Sequence, residues 1–267
     1  MRLSRAARWS LRSFSWLVLV ALYLPLVVVA VLSFNEATSL SWPPSGLGLQ
    51  WWDRAIDSEA PREALATSVR VALSATAIAL LLGSLAAFAL HRYRFFGRNA
   101  LSLLLVLPIA LPGIVTAVAL QSTFIRFGVD LGFRTVVIAH ATFCVVVAYN
   151  NVIARLRRSS PNLVEASADL GASGWQTFRY VTFPLVRSAL LAGGLLAFAL
   201  SFDEIVVTSF TAGPGVETLP QWILNNLSRP NNVPLVNVVA TVVMVLSIPL
   251  AWLAQRLSDG TESLAPG

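Results

Sequence analysis

PNLVEASADLGASGWQTFRYVTFP, residues 161–184, is a polar island between two apolar runs of membrane length. Ser160 followed by Pro161 marks a helix start, because the N–H that proline lacks would have no partner in a first turn. Leu163, Ala166, Ser167 and Leu170 recur at i, i+3, i+4 and i+7. That spacing predicts a short helix with a narrow apolar stripe on one face and Glu165 and Asp169 on the other. Gly171, free to adopt positive φ, stops it. Ser173 with Gln176 three residues later fits a reciprocal cap, so a second short helix is predicted from about Gly174 toward Tyr180. Val181, Phe183 and Pro184 then lead into the next apolar run. Two short helices about a glycine corner make a knob, which something outside the membrane can push or pull.

The rest of the chain fits a membrane setting. Of 267 residues, 56% are hydrophobic and 12% charged, which places the chain among membrane proteins and predicts an all-α bundle in lipid. All 19 basic residues are arginine, and they lie at the ends of apolar runs and not along a soluble patch, which argues against nucleic-acid binding. The single cysteine, Cys144, lies within an apolar run, so no disulfide framework or metal cluster is expected, and an inert buried thiol is.

Six spans follow. Residues 1–13 form a basic tail, and Phe14 to Leu32 is an uncharged first span within 14–33, read as an uncleaved signal anchor that Pro25 bends. Residues 34–62 read as an external loop with an interfacial helix, where Trp42, Trp51 and Trp52 can sit at headgroup level. The remaining spans are placed at about 65–90, 100–125, 135–154, 187–212 and 235–254, inside a transmembrane domain of 63–255 with a tail at 256–267. Ala79, Gly83 and Ala87 repeat every four residues in the second span, spacing that permits close helix packing. Pro108, Pro112 and Gly113 in LPIALPG predict a kink or local unwinding in the third, serving either packing or a hinge.

Polar groups inside the spans are candidates for a translocation path. His140, Tyr149 and Asn150 fall in the fourth span, where such side chains either hydrogen-bond between helices or line a path. Asp203 and Glu204 interrupt the fifth. A carboxylate in hydrocarbon costs on the order of 3 kcal/mol, so both should face protein or water. Adjacent helical residues point about 100° apart, so the two cannot easily face one pore. For Asp203 the alternatives are a cation in the path, an arginine partner or a helix cap.

Six spans put both termini on one side. The N-terminal tail, residues 91–99, residues 155–187 and the C-terminal tail hold thirteen arginines against six on the other side, which makes both termini and the 161–184 knob cytoplasmic.

Glu165, Ala166 and Ser167, then Gly171, then Val181, Phe183 and Pro184 resemble the EAA loop of bacterial ABC-importer permeases, whose pattern is E-A-A, three residues, G, nine residues, I-x-L-P. The spacing matches throughout. Ser167 stands for the second alanine, Val181 for isoleucine and Phe183 for leucine. The resemblance implies a type I importer permease bundle in the bacterial inner membrane. In it, Glu165, Ala166, Ser167, Asp169, Gly171 and Pro184 belong to the loop that docks on a cytoplasmic ATPase dimer. It also implies a second permease subunit and an external solute-binding protein as partners. The run SFDEIVVTSFTAGPGVETLPQWI is similar to the corresponding stretch of spermidine/putrescine permeases, which implies a polyamine cargo.

No G-x4-G-K-[ST] phosphate loop occurs, so ATP is expected on partner subunits, and no catalytic residue, cofactor or metal site is assigned to this chain. Three other readings remain. One is the same machine for ferric iron, thiamine, an opine or another small solute. Another is an intramembrane enzyme using Asp203, Glu204 or His140, although H-E-x-x-H and G-x-S-x-G are both absent. The third, a free-standing channel or carrier, leaves the EAA-like loop unexplained.

Overall fold

Backbone polar groups have no water to bond in lipid, so an apolar chain must satisfy them within itself, and helices do this locally. The computed structural model describes residues 5–38, 42–160 and 162–262. Pro161, the predicted helix start, lies outside the described residues, as do parts of both tails and of the first external loop.

The helices in order are α1 (Arg5–Leu32), α2 (Gln50–Asp57), α3 (Glu59–Arg92), α4 (Arg98–Ala110), α5 (Gly113–Arg126) and α6 (Phe133–Arg158). There follow α7 (Asn162–Asp169), α8 (Gly174–Thr177), α9 (Phe183–Phe202), α10 (Val206–Thr211), α11 (Leu219–Leu227) and α12 (Val233–Glu262). Four stretches are long and apolar enough to cross a membrane: Arg8–Leu32, Glu59–Arg92, Phe133–Arg158 and Gly174–Phe202. The bent pair α4 and α5 makes a fifth if counted as one span, and the apolar part of α12, Val233–Pro249, is shorter. By length and apolarity the six predicted spans therefore become four or five among the described residues.

Two of the predicted spans are interrupted. Between α4 and α5 the axis turns by 103°. Leu111 there is extended, with φ −81° and ψ 147°, as the ring of the following proline requires. The predicted fifth span stops at Phe202, and α10 begins only after Asp203, Glu204 and Ile205.

The chain divides into two units. The first, Met1–Arg62 with Trp222–Leu250, holds α1, whose apolar window contains no buried residue. In its loop, Glu36 N–H donates to Gly46 O at 3.1 Å and Gly48 N–H to Phe34 O at 2.8 Å. Trp51 is buried and Trp52 stacks on Phe34 with centroids 5.2 Å apart. Two of the three tryptophans assigned to the headgroup level thus pack within the protein, and Trp42 stays exposed.

The second unit, Glu63–Gln221 with Ala251–Gly267, is organised around α6. Ala139, Phe143, Cys144 and Ala148 of α6 meet Ala79, Ala117, Ala197 and Val207, while Tyr149, Val152 and Leu156 meet Ala87, Leu90 and Val186. The small-residue repeat of α3 works as its spacing predicts. Ala79 and Ala87 are fully buried, and a Cβ added at Gly83 would lie 2.8 Å from the Val145 carbonyl. Cys144 is buried and its thiol donates to Ala197 O at 3.3 Å, an ordinary packing role.

Candidate functional site

The knob is built by local chemistry. α7 ends where Gly171 takes φ +78°. Gly171 N–H donates to Ala168 O at 2.9 Å and Ala172 N–H to Ser167 O at 3.1 Å, so the last carbonyls of the helix are satisfied. Nothing lies within 4 Å of a Cβ built at Gly171, so backbone conformation and not space requires glycine there. The reciprocal cap forms as predicted: Ser173 N–H donates to Gln176 Oε1 at 2.7 Å and Gln176 N–H to Ser173 Oγ at 3.4 Å.

The second short helix differs from the prediction in where it goes. α8 passes through a π turn, Phe178–Thr182, directly into α9, so the knob and the following span are one rod. Pro184 has no N–H to donate to the carbonyl four residues back and its ring crowds that carbonyl, which fits the wider bonding here, where Phe183 N–H donates to Phe178 O.

The apolar stripe predicted for α7 is not buried against this chain. Leu163 and Leu170 are 46% and 89% exposed, and Glu165, Ala166 and Asp169 are exposed as well. Ser167 is the buried residue of α7, its Oγ 2.6 Å from Thr177 Oγ1. The other residues of the helix are exposed. Behind it lies a cavity of about 600 Å³, lined by Phe88 and Arg92 of α3, Val164 and Glu165 of α7, and Phe178 and Val181 of the π turn.

A second group of polar side chains gathers at the break in the fifth apolar run. His140 is fully buried in α6, with Nδ1 2.8 Å from Ser201 Oγ and Nε2 2.9 Å from Thr208 Oγ1. Thr208 Oγ1 in turn donates to Glu204 O at 2.7 Å, and Val207 N–H donates to Glu204 Oε1 at 2.9 Å. Glu204 is therefore the residue that caps α10. Asp203 is exposed, and its carboxylate has no hydrogen bond or ion pair among the described residues.

The five candidate path residues do not form one cluster. At the break His140 is linked to the Glu204 backbone through Thr208, and Asp203 is the exposed residue beside it in the chain. Tyr149 lies nine residues farther along α6, about 13 Å by helical rise, where it is buried with its hydroxyl 2.9 Å from Ser102 Oγ. Asn150 is exposed on the same helix. Ser201, Thr208 and Ser102 were missed in the sequence, where a hydroxyl in an apolar helix reads as bonded to its own backbone. Their one signal is position, since Ser201 and Thr208 bracket the acidic pair.

Residues 79–262 match the family described as binding-protein-dependent transport system inner membrane component. The chain belongs to that family of importer permeases. Among individual relatives it is 36% identical over 254 residues to the spermidine/putrescine transport system permease protein PotC of Haemophilus influenzae, covering 94% of this chain and 98% of that one. It is 34% identical to the PotC of Escherichia coli, covering 89% of each. It is 32% identical to the putrescine transport system permease protein PotI of E. coli, covering 84% and 81%. The fold is that of a bacterial ABC transporter that imports the acidic polysaccharide alginate, with TM-score 0.74 at 14% identity over 96% of this chain and 99% of that one. The methionine ABC transporter MetNI in an inward-facing form gives 0.57 at 16% identity, covering 76% and 99%.

Proposed function

We propose that this chain is one of two membrane subunits of an ATP-driven importer of polyamines, with the knob at 161–184 as its coupling element. The observation that carries this reading is α7, a short helix whose residues are all exposed except Ser167, joined across the Gly171 corner to α8, which runs through the π turn into a span. Such a lever has an open apolar and acidic face for a partner and a stiff arm to move. An ATPase dimer docks there through Glu165, Ala166, Asp169 and Gly171, with Ser167 and Pro184 shaping the lever. ATP binding closes the dimer and tips the lever, and the spans switch between inward- and outward-facing states.

In this reading the chain spans the inner membrane six times with both termini cytoplasmic, α12 being the last span. The arginine asymmetry supports that orientation. A second permease completes the path, an external solute-binding protein delivers the cargo, and ATP stays on the partners. The cargo assignment is supported by the PotC and PotI relatives and by the exposed Asp203, whose carboxylate has no partner among the described residues. A carboxylate there offsets the loss of water around a passing ammonium.

The test is ATP-driven uptake of radiolabelled putrescine and spermidine into vesicles holding this chain with the ATPase, permease and binding protein encoded beside it. Wild type should accumulate both, Glu165→Arg should abolish uptake, and Asp203→Asn should weaken it. Normal uptake by Glu165→Arg would overturn the coupling role. Uptake of ferric iron, thiamine or an opine in place of polyamine would keep the machine and change the cargo.

A further inference from the structure

The broken fifth run is held together from outside itself. Its two halves, α9 and α10, are separated by three residues without helical continuity, yet both are tied to one imidazole on α6. Ser201 is in the last turn of α9 and Thr208 in the first turn of α10. Ser201 is 3% exposed and Thr208 and His140 are fully buried.

The direction of these bonds follows from counting protons. Thr208 has one hydroxyl proton, and it goes to the Glu204 carbonyl at 2.7 Å. Toward His140 the Thr208 oxygen can then only accept, so Nε2 carries the ring proton and donates. In the neutral ring Nδ1 is left as acceptor, and the Ser201 hydroxyl donates to it. One polarised chain runs from Ser201 through the ring and Thr208 to the backbone of Glu204, crossing the break. Asp203 sits between its ends, its own N–H still bonded to Ala199 O of α9 at 3.1 Å.

We propose that His140 is a positioning residue for passage of the cargo: it clamps α9 to α10 and so fixes where the exposed carboxylate of Asp203 stands. His140 itself touches no cargo, being sealed between its two hydroxyl partners and Phe143, whose ring centroid lies 5.5 Å away. The inference rests on the importer reading and not on which solute is carried.

The experiment uses the full four-component complex in vesicles and reads two quantities, cargo moved per ATP hydrolysed and ATPase stimulation by the loaded binding protein. His140→Leu keeps the bulk and removes both bonds, and Thr208→Val removes the acceptor and the link to Glu204. In both, cargo per ATP should fall at least fivefold while stimulated ATPase stays within twofold of wild type. His140→Gln, which carries both an N–H donor and a carbonyl acceptor, should recover at least half of the loss. A cargo-to-ATP ratio unchanged in His140→Leu and Thr208→Val overturns the proposal. So does a parallel fall of uptake and ATPase, which would mark damage to folding only. Should His140→Leu fail to assemble, Thr208→Val and Ser201→Ala carry the same two outcomes. If wild type moves another solute, the ratio is measured with that solute, which separates failure of the cargo assignment from failure of the clamp.

Discussion

Ser167 Oγ and Thr177 Oγ1 lie 2.6 Å apart, and this buried contact ties the two short helices of the knob across the Gly171 corner. Ser167 stands where the resembling pattern has alanine. Removing either hydroxyl alone strands its partner in a buried position and should cost about 1–2 kcal/mol, whereas Ser167→Ala with Thr177→Val together should cost clearly less than the sum. Chemical unfolding of the four variants in a double-mutant cycle measures this. Additivity within about 0.3 kcal/mol would mean that the contact contributes nothing.

Gly171 has φ +78° with open space where a side chain would project. Gly171→Ala should therefore destabilise the corner by about 1–2 kcal/mol through backbone strain alone. Gly171→Asn, which tolerates the left-handed region better, should cost less. Proteolysis within residues 161–184 should speed up in that order: wild type, asparagine, alanine.

Gly83 is set by space, in contrast to Gly171. A Cβ there meets the Val145 carbonyl at 2.8 Å, Ala148 Cβ at 2.9 Å and Tyr149 N at 2.9 Å. Two of the three atoms are backbone and cannot swing aside. Gly83→Ala should cost on the order of 1–3 kcal/mol by forcing α3 away from α6, and Gly83→Val more. Thermal unfolding of the purified complex should follow that order, and an unchanged midpoint for Gly83→Val would refute the tight crossing.

Pro112 holds Leu111 extended and turns the axis by 103° between α4 and α5. With Pro112→Ala, Leu111 regains access to the helical region and the segment should straighten. Spin labels at the exposed positions Leu103 and Ile125 report this directly. A continuous helix would separate their backbones by about 33 Å, and the bent form holds them closer. A distance that does not lengthen in Pro112→Ala would show that packing and not the proline imposes the bend.

The knob was legible because its determinants are local. Gly171 stops α7, and Ser173 and Gln176 cap α8, through bonds that span at most five residues along the chain. The stripe on α7 was legible as a pattern but not as a burial. Periodicity shows that Leu163 and Leu170 share a side, and says nothing about whether this chain or another covers it. The π turn before Pro184 was missed because proline at a helix start and proline inside a continuous rod look alike in one dimension.

At the fifth run the acids announced a break, since neither carboxylate can rest in hydrocarbon, but the division of labour between them came from the assembled protein. Glu204 caps α10, and the exposed Asp203 carboxylate has no partner among the described residues. His140 likewise had two readings, interhelical bond or path, until its partners were known. Those partners, Ser201 and Thr208, are 61 and 68 residues away in the chain. Composition, periodicity and caps therefore establish an all-helical membrane chain with a knob of two short helices, because each acts within a few turns or on a span as a whole. Which polar groups satisfy one another inside the bundle, and which carboxylate remains exposed, depend on the packing of α6 against α9 and α10. No local pattern encodes that packing, because it joins residues that only the folded chain brings within hydrogen-bonding distance.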